Sequence, residues 1–307
     1  MTYKVALIGY GYWGPKLARN INNSNNLQID YIVDNNKKNL DKAKKDFPLS
    51  RRLTNYKSFN KEEIDIVVIS SPTRTHFSIA NFFLKNCHVL IEKPLSLNSK
   101  DVIKLEKLAK NNNKLLFVDY PFIFSGSINY IKKIIQNNKY GKLLEIESFR
   151  EQAPIRNDAN VVWDLGVHDI YILKHLLNSN PIKINSLKYK SVKTKKEDTA
   201  YINLEYKNNI KVFIKNSWIS PVKIRLIKLK FEKGIIYCDE NEPLYKLKVY
   251  TQTNNSNLSY KLEIPEIDLS EPLFNLIQYV EKSIFNKKNL LFKKNFNLDI
   301  TKVLEKI

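Results

Sequence analysis

The stretch VALIGYGYWGPKLARN, which covers residues 5–20, decides the fold of the N-terminal part of the chain. An aliphatic run ends in Gly9-Tyr-Gly11-Tyr-Trp-Gly14, a complete G-x-G-x-x-G pattern, and Pro15 follows as a helix start. The first glycine permits a tight turn, the second lets the backbone approach a pyrophosphate, and the third lets the helix pack closely on the strand. The stretch therefore predicts a strand, a turn and a helix whose N-terminus binds a dinucleotide.

An acidic residue follows the second predicted strand. Its position indicates whether NAD or NADP is bound. Asp34 stands 20 residues after Gly14. A carboxylate there accepts hydrogen bonds from both ribose hydroxyls of NAD and repels the 2′-phosphate of NADP. We therefore expect NAD. NADP is less favoured but stays an alternative, because Lys37 and Lys38 soften the repulsion. The alternative at this point is a glycine turn without a ligand.

Strand and helix signals alternate over the first 120 residues. A helix with Ser99 as its N-cap is expected before the last of these strands. The strands are expected at Val5–Gly9, Ile29–Val33, Ile64–Ser70, Val89–Ile91 and Leu115–Val118. Strands separated by helices predict an α/β fold with a doubly wound parallel sheet of the Rossmann type.

The pattern changes after residue 120. A long helix is expected from Val162 to Leu177, and a terminal helix from Leu273 to Phe285 after the start signal Ser270-Glu271-Pro272. Between them, residues 182–264 show period-two alternation, with apolar residues on one face and mostly Lys on the other. This predicts an α+β domain with a mostly antiparallel open sheet. We expect a dinucleotide-binding domain at 1–120 and a domain for substrate binding and oligomerisation at 121–307.

Composition narrows the class of protein. The net charge is +20, but Lys and Asn are spread along the whole chain, which favours a solvated Lys-rich surface over a nucleic-acid site. Cys87 and Cys238 are too few and too far apart for a disulfide framework or a zinc site, so no metal is expected. No secretory leader or membrane-length apolar stretch is visible, which predicts a cytoplasmic protein without membrane insertion.

Three polar residues are candidates for chemistry. The strand Val89–Ile91 runs into Glu92-Lys93-Pro94, and ligands of open α/β sheets bind at the carboxyl ends of strands. Asp164 and His168 are four residues apart, so they would share a helix face and could exchange protons near neutral pH. Taken singly, Lys93 could be a surface lysine and His168 a core histidine held by a carboxylate.

Together these features resemble the Gfo/Idh/MocA oxidoreductase family, named for glucose–fructose oxidoreductase, inositol dehydrogenase and a rhizopine catabolism protein. The resemblance extends over most of the chain, and the stretch from Asn160 to Leu173 is most similar to members from bacterial surface-polysaccharide pathways. It rests on ordered matches at GYGYWGPKLARN, Ser70-Ser71-Pro72-Thr73…His76, Glu92-Lys93-Pro94, Asp164…His168 and Glu271-Pro272-Leu273.

The resemblance implies roles for individual residues. Lys93, Asp164 and His168 match the family's catalytic lysine, aspartate and histidine. His168 would take a proton from a substrate hydroxyl, Lys93 would stabilise the developing alkoxide, and Asp164 would hold a neighbouring hydroxyl. The implied cofactor-binding residues are Gly9, Gly11, Tyr12, Trp13, Gly14, Asp34, Ser71, Pro72, Thr73, His76, Glu92, Lys93, Pro94 and Trp163. Weaker candidates for substrate contact are Tyr120, Arg150, Arg156 and Asp169.

The resemblance implies an NAD-dependent sugar dehydrogenase or ketoreductase, acting on a sugar or nucleotide sugar for surface glycans. It also implies a homodimer or homotetramer. One alternative is an NAD-using sugar hydrolase or epimerase with transient oxidation, and another is a non-catalytic ligand-sensing regulator. A nucleic-acid binder is the least favoured alternative. The chain departs from many relatives at Asp119-Tyr120, where they carry Gly-His or Asn-Arg, so the contacts expected at that edge are open.

Overall fold

The computed structural model describes residues 2–156, 158–192, 195–253, 259–288 and 295–307. The chain divides into two units. Unit 1 comprises Met1–Pro121 and Glu271–Thr301, and unit 2 comprises Phe122–Ser270 and Lys302–Ile307. Among the described residues, no helix is both long enough and apolar enough to cross a membrane.

Unit 1 is built on a six-stranded sheet in which every neighbouring pair of strands is parallel. Its strands are β1 (Tyr3–Ile8), β2 (Leu27–Val33), β3 (Arg51–Leu53), β4 (Ile66–Ile69), β5 (His88–Glu92) and β6 (Leu116–Asp119). Its first helices are α1 (Gly14–Asn22), α2 (Lys37–Asp46), α3 (His76–Phe83) and α4 (Ser99–Asn111). The predicted doubly wound parallel sheet is confirmed. The short strand β3, with the sequence Arg-Arg-Leu, has no apolar run and was not predicted.

The strand order β3-β2-β1-β4-β5-β6 is that of dinucleotide-binding sheets. The order reverses between β1 and β4, so the carboxyl ends of these two strands border the place where such sheets bind their ligand. All four residues of β4 are buried, as are Val5 to Ile8 of β1, which is expected for parallel strands covered on both faces.

The start of α4 corrects one detail of the sequence analysis. Asn98, not Ser99, is the N-cap, because its side chain accepts a hydrogen bond from the backbone N–H of Lys100 at 2.8 Å. Ser99 is the first helical residue instead.

Unit 2 contains an eight-stranded sheet in the order β14-β13-β12-β11-β7-β10-β9-β8. Only the β7–β10 pair is parallel among the described pairs, so the predicted mostly antiparallel sheet is confirmed. The elements are α5 (Gly126–Gln136), β7 (Leu143–Glu151), α6 (Val167–Leu177), β8 (Lys183–Tyr189), β9 (Thr199–Glu205), β10 (Lys211–Ser217), β11 (Ile224–Phe231), β12 (Gly234–Asp239), β13 (Leu247–Gln252) and β14 (Tyr260–Glu263).

The long helix predicted from Val162 to Leu177 is not uniform. Its first turn, Val162–Gly166, is a π-helix, and the α-helix α6 continues from Val167. A Cβ atom on Gly166 would lie 2.8 Å from the side-chain oxygen of Asn216, so the wide turn passes close to β10. Such turns are frequent at functional sites, and this one carries Asp164.

The terminal helices change the predicted domain boundary. Residues 121–307 are predicted from the sequence to form one domain, whereas Glu271–Thr301 belongs to unit 1. This segment contains α7 (Pro272–Phe285) and the start of α8 (Phe296–Lys306), a helix that was not predicted. Arg19 donates two hydrogen bonds to Glu271, at 2.5 and 2.7 Å, and Glu281 accepts hydrogen bonds from Ser24 and Asn26. These polar contacts attach the segment to α1 and to the loop that follows it.

Candidate active site

The three glycines of the turn have different surroundings. Gly9 has φ +97°, and a Cβ there would lie 2.7 Å from the backbone of Ser70. A Cβ on Gly14 would lie 2.2 Å from the carbonyl oxygen of Gly9, so only glycine lets α1 pack this closely. A Cβ on Gly11, by contrast, would meet nothing within 4 Å in the described chain. The first and third glycines therefore fix the backbone, and the second leaves open space for a ligand.

The N-terminus of α1 adds a positive field beside this space. Its N-cap is Trp13, which makes no side-chain cap hydrogen bond in the described chain, and Pro15 lies in the first turn. No acidic residue lies in that turn. The Lys16 ammonium lies 4.2 Å from the ring centre of Tyr12 and 4.6 Å from that of Trp13. The positive end of the helix dipole and a nearby cation suit the pyrophosphate of a dinucleotide, so the residues of the turn fit the expected cofactor.

Asp34 joins the end of β2 to the glycine turn. Its Oδ2 accepts a hydrogen bond from the backbone N–H of Tyr10 at 2.7 Å and from the Asn39 amide at 3.0 Å. Its Oδ1 accepts from the N–H of Asn36 at 2.8 Å. Each carboxylate oxygen has two lone-pair directions, so one direction, on Oδ1, remains for a ribose hydroxyl. The carboxylate thus has the fixed orientation that its predicted role requires.

We expect the substitution Asp34→Asn to lower the affinity for NAD about tenfold and to narrow the preference for NAD over NADP. A charge-assisted hydrogen bond is worth roughly 1.5–3 kcal/mol, and the 2′-phosphate would no longer face a negative charge. Fluorescence titrations with both dinucleotides measure the two dissociation constants. Asp30→Asn, on the same strand, removes a carboxylate that pairs with Lys4 at 3.9 Å and serves as the control. An unchanged NAD-to-NADP ratio in the Asp34 variant would contradict this role.

The segment after β4 is held from behind by His76. This side chain is completely buried, and its ring nitrogens lie 2.9 Å from the carbonyl oxygens of Pro94 and Ser71. The Ser71 hydroxyl lies 2.7 Å from that of Thr75. His76 therefore ties the chain after β4 to the chain after β5, which supports a positioning role for it, not contact with the cofactor. Ser71, Pro72 and Thr73 remain predicted cofactor neighbours.

Lys93 lies directly after Glu92, the last residue of β5, and is 9% exposed. The Lys93–Pro94 peptide bond is cis. The predicted catalytic lysine is thus largely buried at the carboxyl end of a central strand, which is not the position of an ordinary solvated surface lysine.

Asp119 is a residue of this edge to which the sequence analysis gave no role. It ends β6, pairs in register with Glu92, and accepts a hydrogen bond from the indole N–H of Trp13. Burial raises the pKa of Asp119 to about 6, although the Trp13 hydrogen bond and the charge of Lys93 both act to lower it. Its signal in the sequence was a carboxylate that ends an aliphatic strand at the ligand edge.

In unit 2, Asp164 and His168 have fixed neighbours. Asp164 is 8% exposed; its Oδ2 accepts a hydrogen bond from the Trp218 indole at 2.9 Å, and its Oδ1 lies 3.6 Å from Arg156. His168 places Nδ1 3.0 Å from the Tyr171 hydroxyl, and its ring packs edge-on against Phe122. Trp218 was missed in the sequence, because strand periodicity does not show which indole reaches a carboxylate 54 residues away.

The candidate substrate residues have unequal access. Arg156 is the most accessible and donates two hydrogen bonds to Asp158, at 3.0 and 2.9 Å, while it faces Asp164. Tyr120, Arg150 and Asp169 are each 1% exposed. Burial and the charge of Glu106 raise the pKa of Tyr120.

Asp169 is the centre of a buried polar network. It accepts hydrogen bonds from Arg150 at 2.8 Å, Ser148 at 2.6 Å and Asn216 at 2.8 Å. These contacts support a role in holding α6 on the sheet and not the contact with substrate for which Arg150 and Asp169 were weaker candidates.

Trp163, a predicted cofactor neighbour, is half-buried in the π-helical turn, and its backbone N–H donates to Asn160 at 3.2 Å.

Two family models match the chain. Residues 3–120 match an oxidoreductase family described as an NAD-binding Rossmann fold, and residues 128–237 match the GFO/IDH/MocA C-terminal domain. The two matches fall in units 1 and 2, respectively. They cover most of the chain and include the glycine turn, Lys93, Asp164 and His168.

Curated relatives are similar to parts of the chain. The UDP-N-acetylglucosamine 3-dehydrogenase of Acidithiobacillus ferrooxidans is 28% identical over 141 residues, which are 45% of this chain and 44% of that protein. The match thus spans less than half of that relative's length. The myo-inositol 2-dehydrogenase of Thermotoga maritima is 25% identical over 228 residues, 70% of this chain and 68% of that one. The solved structure of the Acidithiobacillus enzyme matches with a TM-score of 0.86 at 19% identity, over 100% of this chain and 96% of that one, which shows the shared fold.

Proposed function

The chain belongs to the Gfo/Idh/MocA oxidoreductase family, and from this premise we propose that it is an NAD-dependent oxidoreductase. It transfers a hydride between the nicotinamide and a hydroxyl or keto carbon of a sugar. The observation that carries the proposal is the glycine turn, in which Gly9 and Gly14 are locked by backbone while Gly11 faces open space. The matched UDP-N-acetylglucosamine and inositol dehydrogenases support a polyhydroxylated substrate. Within this class we propose a nucleotide sugar used for surface glycans.

The residues of unit 1 would hold the cofactor. The turn from Gly9 to Gly14, including Tyr12 and Trp13, would bind the pyrophosphate, and Asp34 the adenosine ribose. Ser71, Pro72 and Thr73 would flank the middle of the dinucleotide, and Glu92 would reach the nicotinamide ribose. Pro94 and Trp163 complete the proposed set. When bound, NAD supplies the acceptor for the hydride.

Three side chains carry the chemistry in this proposal. His168 takes the proton of the substrate hydroxyl at Nε2, while the Tyr171 hydroxyl at Nδ1 fixes the orientation of the ring. Lys93 donates a hydrogen bond to the developing alkoxide. Asp164, oriented by Trp218 and Arg156, accepts a hydrogen bond from a neighbouring hydroxyl and so selects the carbon that reacts. In the reductive direction the same groups act in reverse, with His168 as the acid.

The test is the redox state of the cofactor carried by the purified protein, followed by native mass spectrometry and absorbance. A panel of UDP-, GDP- and dTDP-linked sugars is added to the protein. Conversion of bound NAD to NADH by one sugar is the expected result. A sugar product without net change of the cofactor would favour the hydrolase or epimerase alternative. A protein that binds the dinucleotide but changes no sugar would favour the regulator, and one that binds no dinucleotide would refute the proposal.

We propose in addition that the protein is a cytoplasmic homo-oligomer, a dimer or a tetramer. Both cysteines are free thiols, which supports a reducing compartment. Leu187, Tyr189, Tyr201 and Phe213 share one face of the sheet by register and are each at least 39% exposed. These side chains form an exposed apolar patch beside Lys215 and Asn203 on the same face, and such a patch favours self-association. Light scattering after gel filtration should give a multiple of 36.0 kDa, and a monomer at micromolar concentration would refute the oligomer.

A further inference from the structure

Asp119 has an unusual set of partners for a buried carboxylate. The side chain is 1% exposed, and its Oδ2 accepts the hydrogen bond from Trp13. Its Oδ1 is buried without a hydrogen-bond partner among the residues that the structure describes. A buried oxygen of this kind costs free energy, so the position of this carboxylate needs an explanation. Asp119 pairs in register with Glu92, the residue directly before Lys93, so both lie at the same edge of the sheet. The charge of Lys93 acts on the carboxylate there.

The charge state of the pair follows from burial and pH. The pKa of Asp119 is raised to about 6 by burial, so the carboxylate is ionised at pH 8. The edge formed by β5 and β6 then carries a negative charge beside the Lys93 ammonium. In water this would matter little, but charges within a largely buried edge are weakly screened.

We propose that Asp119 is a positioning residue that offsets the charge of Lys93, so that the site accepts the oxidised, cationic nicotinamide ring of NAD. The inference rests on the proposed function, in which Lys93 lies at the nicotinamide end of the cofactor. A lysine that stabilises an alkoxide also repels a cationic ring, whereas the ring of NADH is neutral. Asp119 removes that conflict, and its bond to Trp13 links the offsetting charge to the pyrophosphate turn.

If Asp119 offsets the charge of Lys93, its replacement by asparagine should lower the affinity for NAD far more than the affinity for NADH. At pH 8, Asp119→Asn should weaken NAD binding by roughly 10- to 100-fold, since the surroundings of the ring gain one positive charge whatever else Lys93 contacts. NADH binding should change by less than about threefold, because its ring has no charge to be repelled. Titrations of intrinsic and NADH fluorescence, with calorimetry for NAD, measure both constants without turnover.

Two further variants separate charge from structure. Lys93→Met should shift the ratio of NAD to NADH affinity in the opposite direction, and the double variant Lys93→Met/Asp119→Asn should restore it to within about threefold of the wild-type ratio. Trp13→Phe removes the indole N–H and part of the ring but no formal charge, and it should weaken both forms alike. If Asp119→Asn does not fold, Asp119→Ser, which also removes the carboxylate, takes its place in the same comparison with Lys93→Met.

The outcomes distinguish this inference from the proposed function. Equal weakening of NAD and NADH by Asp119→Asn, or no restoration in the double variant, would overturn the charge-offsetting role and leave the enzyme assignment intact. A wild-type protein that binds neither form would instead refute the proposed function. A selective loss of NAD binding that the second substitution reverses is the result that the inference predicts.

Discussion

Replacing Lys93 with methionine should lower kcat for the oxidation of the substrate sugar by about 10²- to 10³-fold, the loss typical when one donor to a developing oxyanion is removed. Methionine has nearly the same length and flexibility as lysine, so it can occupy the space at the end of β5 without a cavity. The ammonium alone is lost, and with it the hydrogen bond that stabilises the alkoxide. Stopped-flow formation of NADH measures the step directly.

The control for this prediction is Lys100→Met, which changes an exposed lysine in the first turn of α4. It should keep wild-type kcat and KM. The Lys93 variant should melt at a lower temperature, because the buried carboxylate of Asp119 loses the charge that offsets it. Circular dichroism at the assay temperature shows whether the assayed variant is folded. A folded Lys93→Met protein with the kcat of the wild type would contradict the proposed role of Lys93 in stabilising the alkoxide.

Gly14→Ala should lower the free energy of unfolding by about 3 kcal/mol or more, which is at the upper end of the values for overpacking substitutions. The new Cβ would lie 2.2 Å from the Gly9 carbonyl oxygen, and a backbone atom cannot rotate out of the way as a side chain can. Unfolding in urea, followed by circular dichroism, gives the free energy of unfolding.

Gly11→Ala is the matched variant, because it adds the same methyl group three residues earlier in the same turn. The added methyl group meets no atom within 4 Å in the described chain, so the free energy of unfolding should change by no more than about 0.5 kcal/mol. The methyl group would occupy the space proposed for the pyrophosphate, and NAD affinity should fall at least about tenfold, the worth of one good phosphate contact. Equal destabilisation by both variants, or unchanged NAD binding in Gly11→Ala, would contradict the division of roles among the glycines.

Local sequence patterns predicted the two sheets, because strands, helices and tight turns are determined by residues that are close together in the chain. The glycine turn, Asp34 and the alternation of strands and helices led to the parallel sheet, and period-two runs led to the antiparallel one. Both signals depend on residues close together in the chain, where backbone geometry and side-chain periodicity act directly. Lys93 was singled out for the same reason, since the end of β5 is visible in the strand pattern itself.

The features that were missed depend on contacts between distant residues. Glu281 accepts from Ser24 and Asn26 across more than 250 residues, and no periodicity indicates that α7 packs in unit 1. Asp119 and Trp13 are 106 residues apart, so their hydrogen bond is not visible before the strand order is known. The π-helical turn at Asp164 likewise lies where Gly166 approaches Asn216, a contact across 50 residues that helix propensity does not show.

Because the segment Glu271–Thr301 belongs to unit 1, it affects when unit 1 can fold during synthesis on the ribosome. Synthesis proceeds from the N-terminus, and N-terminal domains ordinarily fold first. Here the polar groups of Ser24 and Asn26 meet their acceptor only after Glu281 has been made. The dinucleotide-binding unit therefore completes its fold late, after the whole eight-stranded sheet of unit 2 has been translated. A nascent chain arrested before Glu271 would expose the face of α1 that α7 covers.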